Sequence, residues 1–249
     1  MIFAKMKNMI FDIISIFPEL IKPYFQKGLL SSSQKKGLIK VRFFNPRDFT
    51  QDKHKTVDDT PYGGGPGMVM KIEPIFKAVQ KAKKIKKKKR KVILFSLKGE
   101  ILNQKLLRQL LKLEHLILIC GRYEGVDERV AKYIADKEIS LGNFILSGGE
   151  LPALVLIESL TRLIPSAIGK KESIEEERLK KLFGENFLSQ GKEKILSYPV
   201  YTRPEKFYPF PKNKKICWSV PKVLLSGNHQ KISLWRKKEI EKYLKKDGK

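Results

Sequence analysis

The sequence predicts an α/β fold: a mainly parallel sheet with helices on both faces, then a small, mostly helical C-terminal domain. Three observations carry this. Short apolar runs (MIFDIISI, VILFSL, LILIC) alternate with helical patterns, as strands buried on both faces do. Glycine-bearing loops follow those runs or a cluster of turn residues. After Pro165 the alternation stops and the chain turns polar and charged.

Taken in order, Met9 to Ile16 reads as a buried strand stopped by Phe17-Pro18-Glu19. A short helix through Tyr24-Phe25 leads to a turn at Ser31-Ser32-Ser33. Ile39 to Phe44 alternates as a second strand and ends at Asn45-Pro46. A polar stretch with Asp48, Asp52, His54, Asp58 and Asp59 runs into Tyr62-Gly63-Gly64-Gly65-Pro66-Gly67-Met68. That loop has neither the GxxxxGK[ST] nor the GxGxxG spacing, so it is a hinge or a loop that covers a ligand. Glu73 to Lys84 reads as a helix, with Ile75, Phe76, Val79 and Ala82 on one face. The run KAKKIKKKKRK, Lys81 to Lys91, reads as a solvated loop, with contact to an RNA backbone as the alternative.

Val92 to Leu97 is the next strand, Leu102 to Leu113 a helix, and Leu116 to Cys120 another strand. GRYEGVDER follows from Gly121, with a helix from about Asp127 to Tyr133. EISLGNFILSGGELP, Glu138 to Pro152, begins as a strand and breaks at Ser147-Gly148-Gly149. A buried helix follows, with Pro152 in its first turn. Glycines there let backbone approach a ligand, or else mark a tight packing turn. Ligands of parallel sheets sit off the carboxyl ends of the strands. The loops after Leu97, after Cys120 and around Gly142 to Gly149 therefore make one ligand site. Residues 1–167 form this α/β domain, 168–194 an interdomain linker, and 195–249 a small helical domain ending in a basic helix.

A net charge of +26 in 249 residues favours a polyanionic partner, nucleic acid first. Unpartnered surface lysine is the alternative. Two cysteines, Cys120 and Cys217, make no disulfide framework and suit a reducing compartment. His54, His115 and His229 stand at no metal-ligand spacing from a cysteine, so no metal site is expected. Asp12 interrupts the N-terminal apolar run, and no stretch approaches the ~20 apolar residues of a membrane span. A cytoplasmic protein without membrane contact is expected.

Four strings stand in register: TVDDTPYGGGPGMVM, LICGRYEGVDERV, EISLGNFILSGGELP, and YTRPE followed by LLSGNH. Together they resemble the bacterial tRNA (guanine-N1)-methyltransferases of the SPOUT class, from Ile10 to about Lys238. The resemblance implies a deep trefoil knot and a homodimer whose active sites are shared between subunits. It implies a methyl transfer from S-adenosylmethionine to N1 of guanosine 37 in tRNA. By motif match the methyl donor lies on Leu94, Phe95 and Ser96, on Gly121, Tyr123 and Glu124, and on Leu141, Gly142, Asn143, Phe144, Ile145, Leu146, Gly148, Gly149 and Pro152.

The same match places Arg162 at guanine O6 and Glu177 at the position of the family's aspartate base, with Glu176 as the alternative. Glutamate there is a departure, as is Leu97 where a proline is usual and Ile139 where an aromatic is common. Asp58 matches an aspartate near the guanine, with a turn cap as its other reading. Tyr201, Arg203, His229, Trp235 and Arg236 are candidate tRNA contacts by stacking and phosphate pairing. The resemblance also suggests a divalent ion such as Mg2+, with no residues to assign to it. Two rivals are a SPOUT enzyme acting on ribosomal RNA and a basic, non-catalytic RNA-binding or assembly factor.

Overall fold

The computed structural model describes residues 8–169, 179, 182–183, 197–210 and 215–246. The chain divides into two compact units, Met1–Lys170 and Lys171–Lys249. In the first, β1 (Met9–Ile14), β2 (Ile39–Phe44), β5 (Arg90–Ile101), β6 (His115–Ile119) and β7 (Lys137–Ser140) form one sheet in the order β2-β1-β6-β5-β7. Every neighbouring pair in that sheet is parallel. Two short strands, β3 (Asp58–Asp59) and β4 (Val69–Met70), make a separate antiparallel ribbon.

The period of two in the strands sorts their side chains into two cores. Phe11, Ile13, Ile93, Phe95, Leu116 and Leu118 point to one face, covered by α1 (Gly28–Lys35), α3 (Gln104–Leu110) and α5 (Glu150–Leu163). Ile14, Val92, Leu94, Ile117 and Ile119 point to the other, covered by α2 (Ile72–Lys83) and α4 (Glu128–Tyr133). Coverage on both faces is why these strands read as unbroken apolar runs.

Three expectations about elements change. Ser31 to Ser33 is not a turn but the middle of α1. The turns before it are three-residue-per-turn helices, Pro18–Leu20 and Lys22–Gln26. Burial of Leu30 and Ser33 in α1 outweighs the weak helix propensity of a serine run. The helix expected over Leu102 to Leu113 is only Gln104–Leu110, started by Asn103, whose side chain accepts a hydrogen bond from Leu106 N–H at 2.8 Å. The strand expected to stop at Leu97 runs on to Ile101.

Asp12, which breaks the first apolar run, is fully buried. Its neighbour in β2, Arg42, donates to both carboxylate oxygens, Nε at 2.7 Å and Nη2 at 2.5 Å. His115 Nε2 lies 2.7 Å from Oδ2. A buried carboxylate is tolerated because it is paired.

The second unit holds a two-residue ribbon, β8 (Lys206–Phe207) with β9 (Trp218–Ser219), and helices Lys222–Leu225 and His229–Lys246. Leu179 and Ile240 form its buried centre, packed by Leu182, Phe183 and Tyr198. Most of the expected linker lies outside the described residues. No helix among the described residues is long and apolar enough to cross a membrane.

Candidate active site

Three loops gather at the carboxyl end of the sheet. The first belongs to β5 itself. Its pairing with β7 slips between Phe95 and Glu100, both of which face Ile139, so residues 96–99 leave the ladder. Gly99 permits this, because a Cβ there would stand 2.5 Å from Ile139 N. The second loop follows β6, and Tyr123 takes a left-handed φ of 61° in a turn closed by Gly125 N–H donating to Arg122 O at 3.0 Å.

The third loop, after β7, returns against the second. Gly149 N–H donates to Gly121 O at 2.9 Å, and Arg122 and Gly148 form an antiparallel bridge. A Cβ on Gly149 would lie 2.6 Å from Cys120 Cα. Gly149 thus serves close approach of backbone to backbone, rather than to a ligand alone. Gly142 has a positive φ of 155° and abuts the Phe144 ring.

The loops enclose a cavity of about 420 Å³. Of the residues the motif match assigns to the methyl donor, all but Gly142 and Asn143 line it. Leu97, Lys98, Arg122, Val126, Glu128, Ala131, Glu138 and Ser147 line it as well, though the motif match did not assign them. Its walls combine apolar surface (Leu94, Phe95, Leu141, Ile145, Leu146, Pro152) with three carboxylates, Glu124, Glu128 and Glu138. Lys98 pairs with Glu128 at 3.0 Å, and that contact raises the lysine pKa. Asp127 caps α4 through Arg129 N–H at 2.9 Å, and the Arg129 guanidinium holds its carboxyl below the usual range.

The ribbon of β3 and β4 is stitched to the second loop. Glu124 N–H donates to Met68 O, Met70 N–H to Gly125 O and Asp127 N–H to Met70 O, each at 3.0 Å. Gly67, at φ 81°, sits where a Cβ would be 2.6 Å from Glu124 Cγ. The YGGGPG motif is therefore anchored at its end to the cavity wall. Asp58 pairs with Met70 across the ribbon, while its neighbour Asp59 takes the capping role, accepting from Thr60 N–H.

Burial was the signal missing from the sequence. Glu150 opens α5 at 1% exposure, and Cys120 is buried beside it with its thiol pushed well up by burial first and by the Glu150 charge second. Arg162 is in the last turn of α5, half-buried, and does not line the cavity. Ten residues separate it from Pro152, about 15 Å along the helix axis. Glu176 and Glu177 lie outside the described residues.

In the second unit Tyr201 and Trp235 form a tilted pair, 6.3 Å between ring centroids and 57° between planes, and the Arg236 guanidinium stands 4.7 Å over the Tyr198 ring. Arg203 and His229 are exposed. Among the described residues no group of three or more His, Cys, Asp or Glu is arranged to hold a metal ion.

Fold and cavity together define an α/β protein with a cavity of small-molecule size off the carboxyl ends of its parallel strands. The family model described as tRNA (Guanine-1)-methyltransferase TrmD matches residues 9–247. A tRNA (guanine-N(1)-)-methyltransferase of Dictyoglomus turgidum is 49% identical over 231 residues, 93% of this chain and 84% of the relative. Proteins of the same name from Pseudoalteromonas atlantica and Carboxydothermus hydrogenoformans are each 46% identical. They cover 92% of this chain and 79% and 81% of their own lengths. The chain belongs to the tRNA (guanine-1)-methyltransferase family.

Proposed function

We propose that the protein transfers a methyl group from S-adenosylmethionine to N1 of guanosine 37 in tRNA, beside the anticodon. The observation that carries this is the cavity, built by the same three loops that the family's motifs assign to the methyl donor. Its volume suits a small-molecule site. Apolar walls suit an adenine ring, and the carboxylates of Glu124, Glu128 and Glu138 suit a sulfonium cation. When bound, the donor supplies an already activated methyl group.

The chain's own residues must then make guanine N1 nucleophilic. N1 carries a proton, and Glu177 is the proposed general base that takes it. Arg162 is the proposed cation that steadies the negative charge developing on O6. Its ~15 Å separation from Pro152 along α5 supports a site completed by a second copy of the chain. Leu151 and Val155, exposed at 57% and 44%, share one face of α5 with Arg162, at spacings of four and eleven residues. An apolar stripe of this kind is what a two-fold homodimer covers. The return of the third loop onto Gly121 supports threading as a trefoil knot.

Exposed aromatics in the second unit, among them Tyr201 and Trp218, suit stacking on tRNA bases, and its basic side chains suit phosphate contact. Arg203, His229, Trp235 and Arg236 act there, and Asp58 reads the guanine edge. The target base leaves its stack to reach the donor. A tRNA substrate supports a cytoplasmic location. A divalent ion has no residues assigned to it and enters no step.

Incubation with labelled S-adenosylmethionine and unmodified tRNA, followed by mapping of the methyl group, tests the proposal. Label at N1 of guanosine 37, lost when that base is adenosine, is expected. No transfer despite tight donor binding refutes it. Glu177→Gln is expected to abolish transfer while donor affinity stays near normal.

A further inference from the structure

Glu150 is a carboxylate that the proposed chemistry does not use, yet it is almost completely buried at the cavity. Such a group costs several kcal/mol to bury unless its oxygens are occupied. Both are. Oε1 accepts from Ser15 Oγ at 2.6 Å, and Oε2 accepts from Arg122 Nε at 2.9 Å. Arg122 Nη1 also donates to Ser147 O at 3.2 Å, and the guanidinium stands 5.2 Å over the Phe17 ring. Ser15 Oγ in turn accepts from Phe17 N–H at 3.0 Å. Glu150 opens a fourteen-residue helix, so the helix dipole also favours its charged form.

This chain of contacts ties the end of β1, the loop after β6 and both sides of the third loop to one buried charge. Arg122, Ser147, Gly148 and Gly149 all line the cavity. Gly148 is held just as closely: a Cβ there would stand 2.6 Å from Arg122 Cδ and 2.7 Å from Glu150 Oε2. Hydrogen bonds that tie two walls of a site to one buried charge outside its lining set the shape of the site.

We infer that Glu150 and Arg122 are positioning residues that hold the Gly121–Tyr123 and Ser147–Gly149 walls in the geometry required by the methyl donor. The inference rests on the reading that this cavity takes S-adenosylmethionine. Arginine suits the task because its planar fork bonds in two fixed directions at once, to Glu150 and to Ser147 O, which a lysine ammonium on a flexible stem does not.

The test compares wild type, Glu150→Gln, Arg122→Lys and Ser15→Ala. Calorimetry gives S-adenosylmethionine affinity, steady-state kinetics gives KM for donor and tRNA separately, and thermal unfolding gives stability. Glu150→Gln and Arg122→Lys are expected to weaken donor binding about tenfold or more and raise the donor KM in step, leaving the tRNA KM unchanged. Ser15→Ala, which removes one bond and keeps the ion pair, is expected to show a smaller loss in the same direction. Glu150→Asp should recover part of the affinity. A purely structural pair would lower the melting temperature with donor affinity within twofold of wild type, and that result overturns the inference. If Glu150→Gln does not fold, Arg122→Lys carries the same comparison. Wild-type protein that fails to bind S-adenosylmethionine overturns the reading of the cavity, and the inference with it.

Discussion

Replacing Gly149 by alanine probes the packing on which the cavity depends. Gly149 has an ordinary φ of −83°, so an alanine meets no backbone strain there and the effect is purely steric. The new Cβ would lie 2.6 Å from Cys120 Cα and 3.1 Å from Gly121 N, where ordinary contact begins at 3.4 Å. The shortfall of about 1 Å falls on backbone atoms just after the central strand β6, which cannot rotate away as a side chain can. Overpacking of this kind costs about 1–3 kcal/mol. For a unit of this size that is a fall of about 2–12 °C in melting temperature. Because Gly149 N–H bonds Gly121 O, the clash also separates two walls of the cavity. S-adenosylmethionine affinity is therefore expected to fall together with stability. Gly121→Ala is the control for stability, since its Cβ would meet nothing nearer than Val126 Cγ1 at 3.4 Å. Differential scanning fluorimetry and calorimetry read both effects. Gly149→Ala with unchanged melting temperature and donor affinity would refute the reasoning.

Arg42→Met strips the buried Asp12 carboxylate of its bidentate partner. A loss of about 3 kcal/mol in urea unfolding is expected, the low end for breaking a buried pair because Arg42 keeps some exposure. Asp127→Ala removes the cap of α4 and should cost about 1 kcal/mol at neutral pH. Arg129 depresses the Asp127 pKa, so this stabilisation is present above the ordinary carboxylate value and is lost as pH falls through the folded one. Unfolding curves of wild type and variant should therefore begin to converge as pH falls below about 4 and meet only below the depressed folded value. Lys86 to Lys89, which have no acidic partner among the described residues, are read as solvated. Changing all four to glutamine should leave the salt dependence of tRNA affinity unaltered, whereas four phosphate contacts would flatten its slope by about 3.

Much of the architecture was legible because period and burial coincide. β2 and the body of α2 fall within a residue of where the apolar pattern puts them. Elements failed where local preference was weak and packing decided. Three serines read as a turn, yet they lie in α1, whose Leu30 is buried. The strand through Val92 ran past its apolar stretch because Glu100 and Ile101 find a second register on β7. In the site, the motif match placed most of the cavity lining. Gly142 and Asn143 fell outside it, and the φ of Gly142 explains its type without a ligand. Arg162 stands away from the cavity of its own chain.

What the sequence determined by itself was the class and the edge of the sheet where the cavity lies. Alternating apolar strands and helices dictate a parallel sheet, and glycine loops after its strands mark the edge where the cavity opens. The four motifs in register pointed to the family. What only the tertiary structure decided was which of those residues stand against one another. Gly149 is a glycine because the backbone at Cys120, just after β6, passes 2.6 Å from where its Cβ would be, and Glu150 can be buried because Ser15 and Arg122 arrive from distant segments to occupy its oxygens. Such contacts span up to 135 residues of sequence, and no local pattern encodes them. They exist only once the sheet has brought the ends of β1, β6 and β7 to one edge.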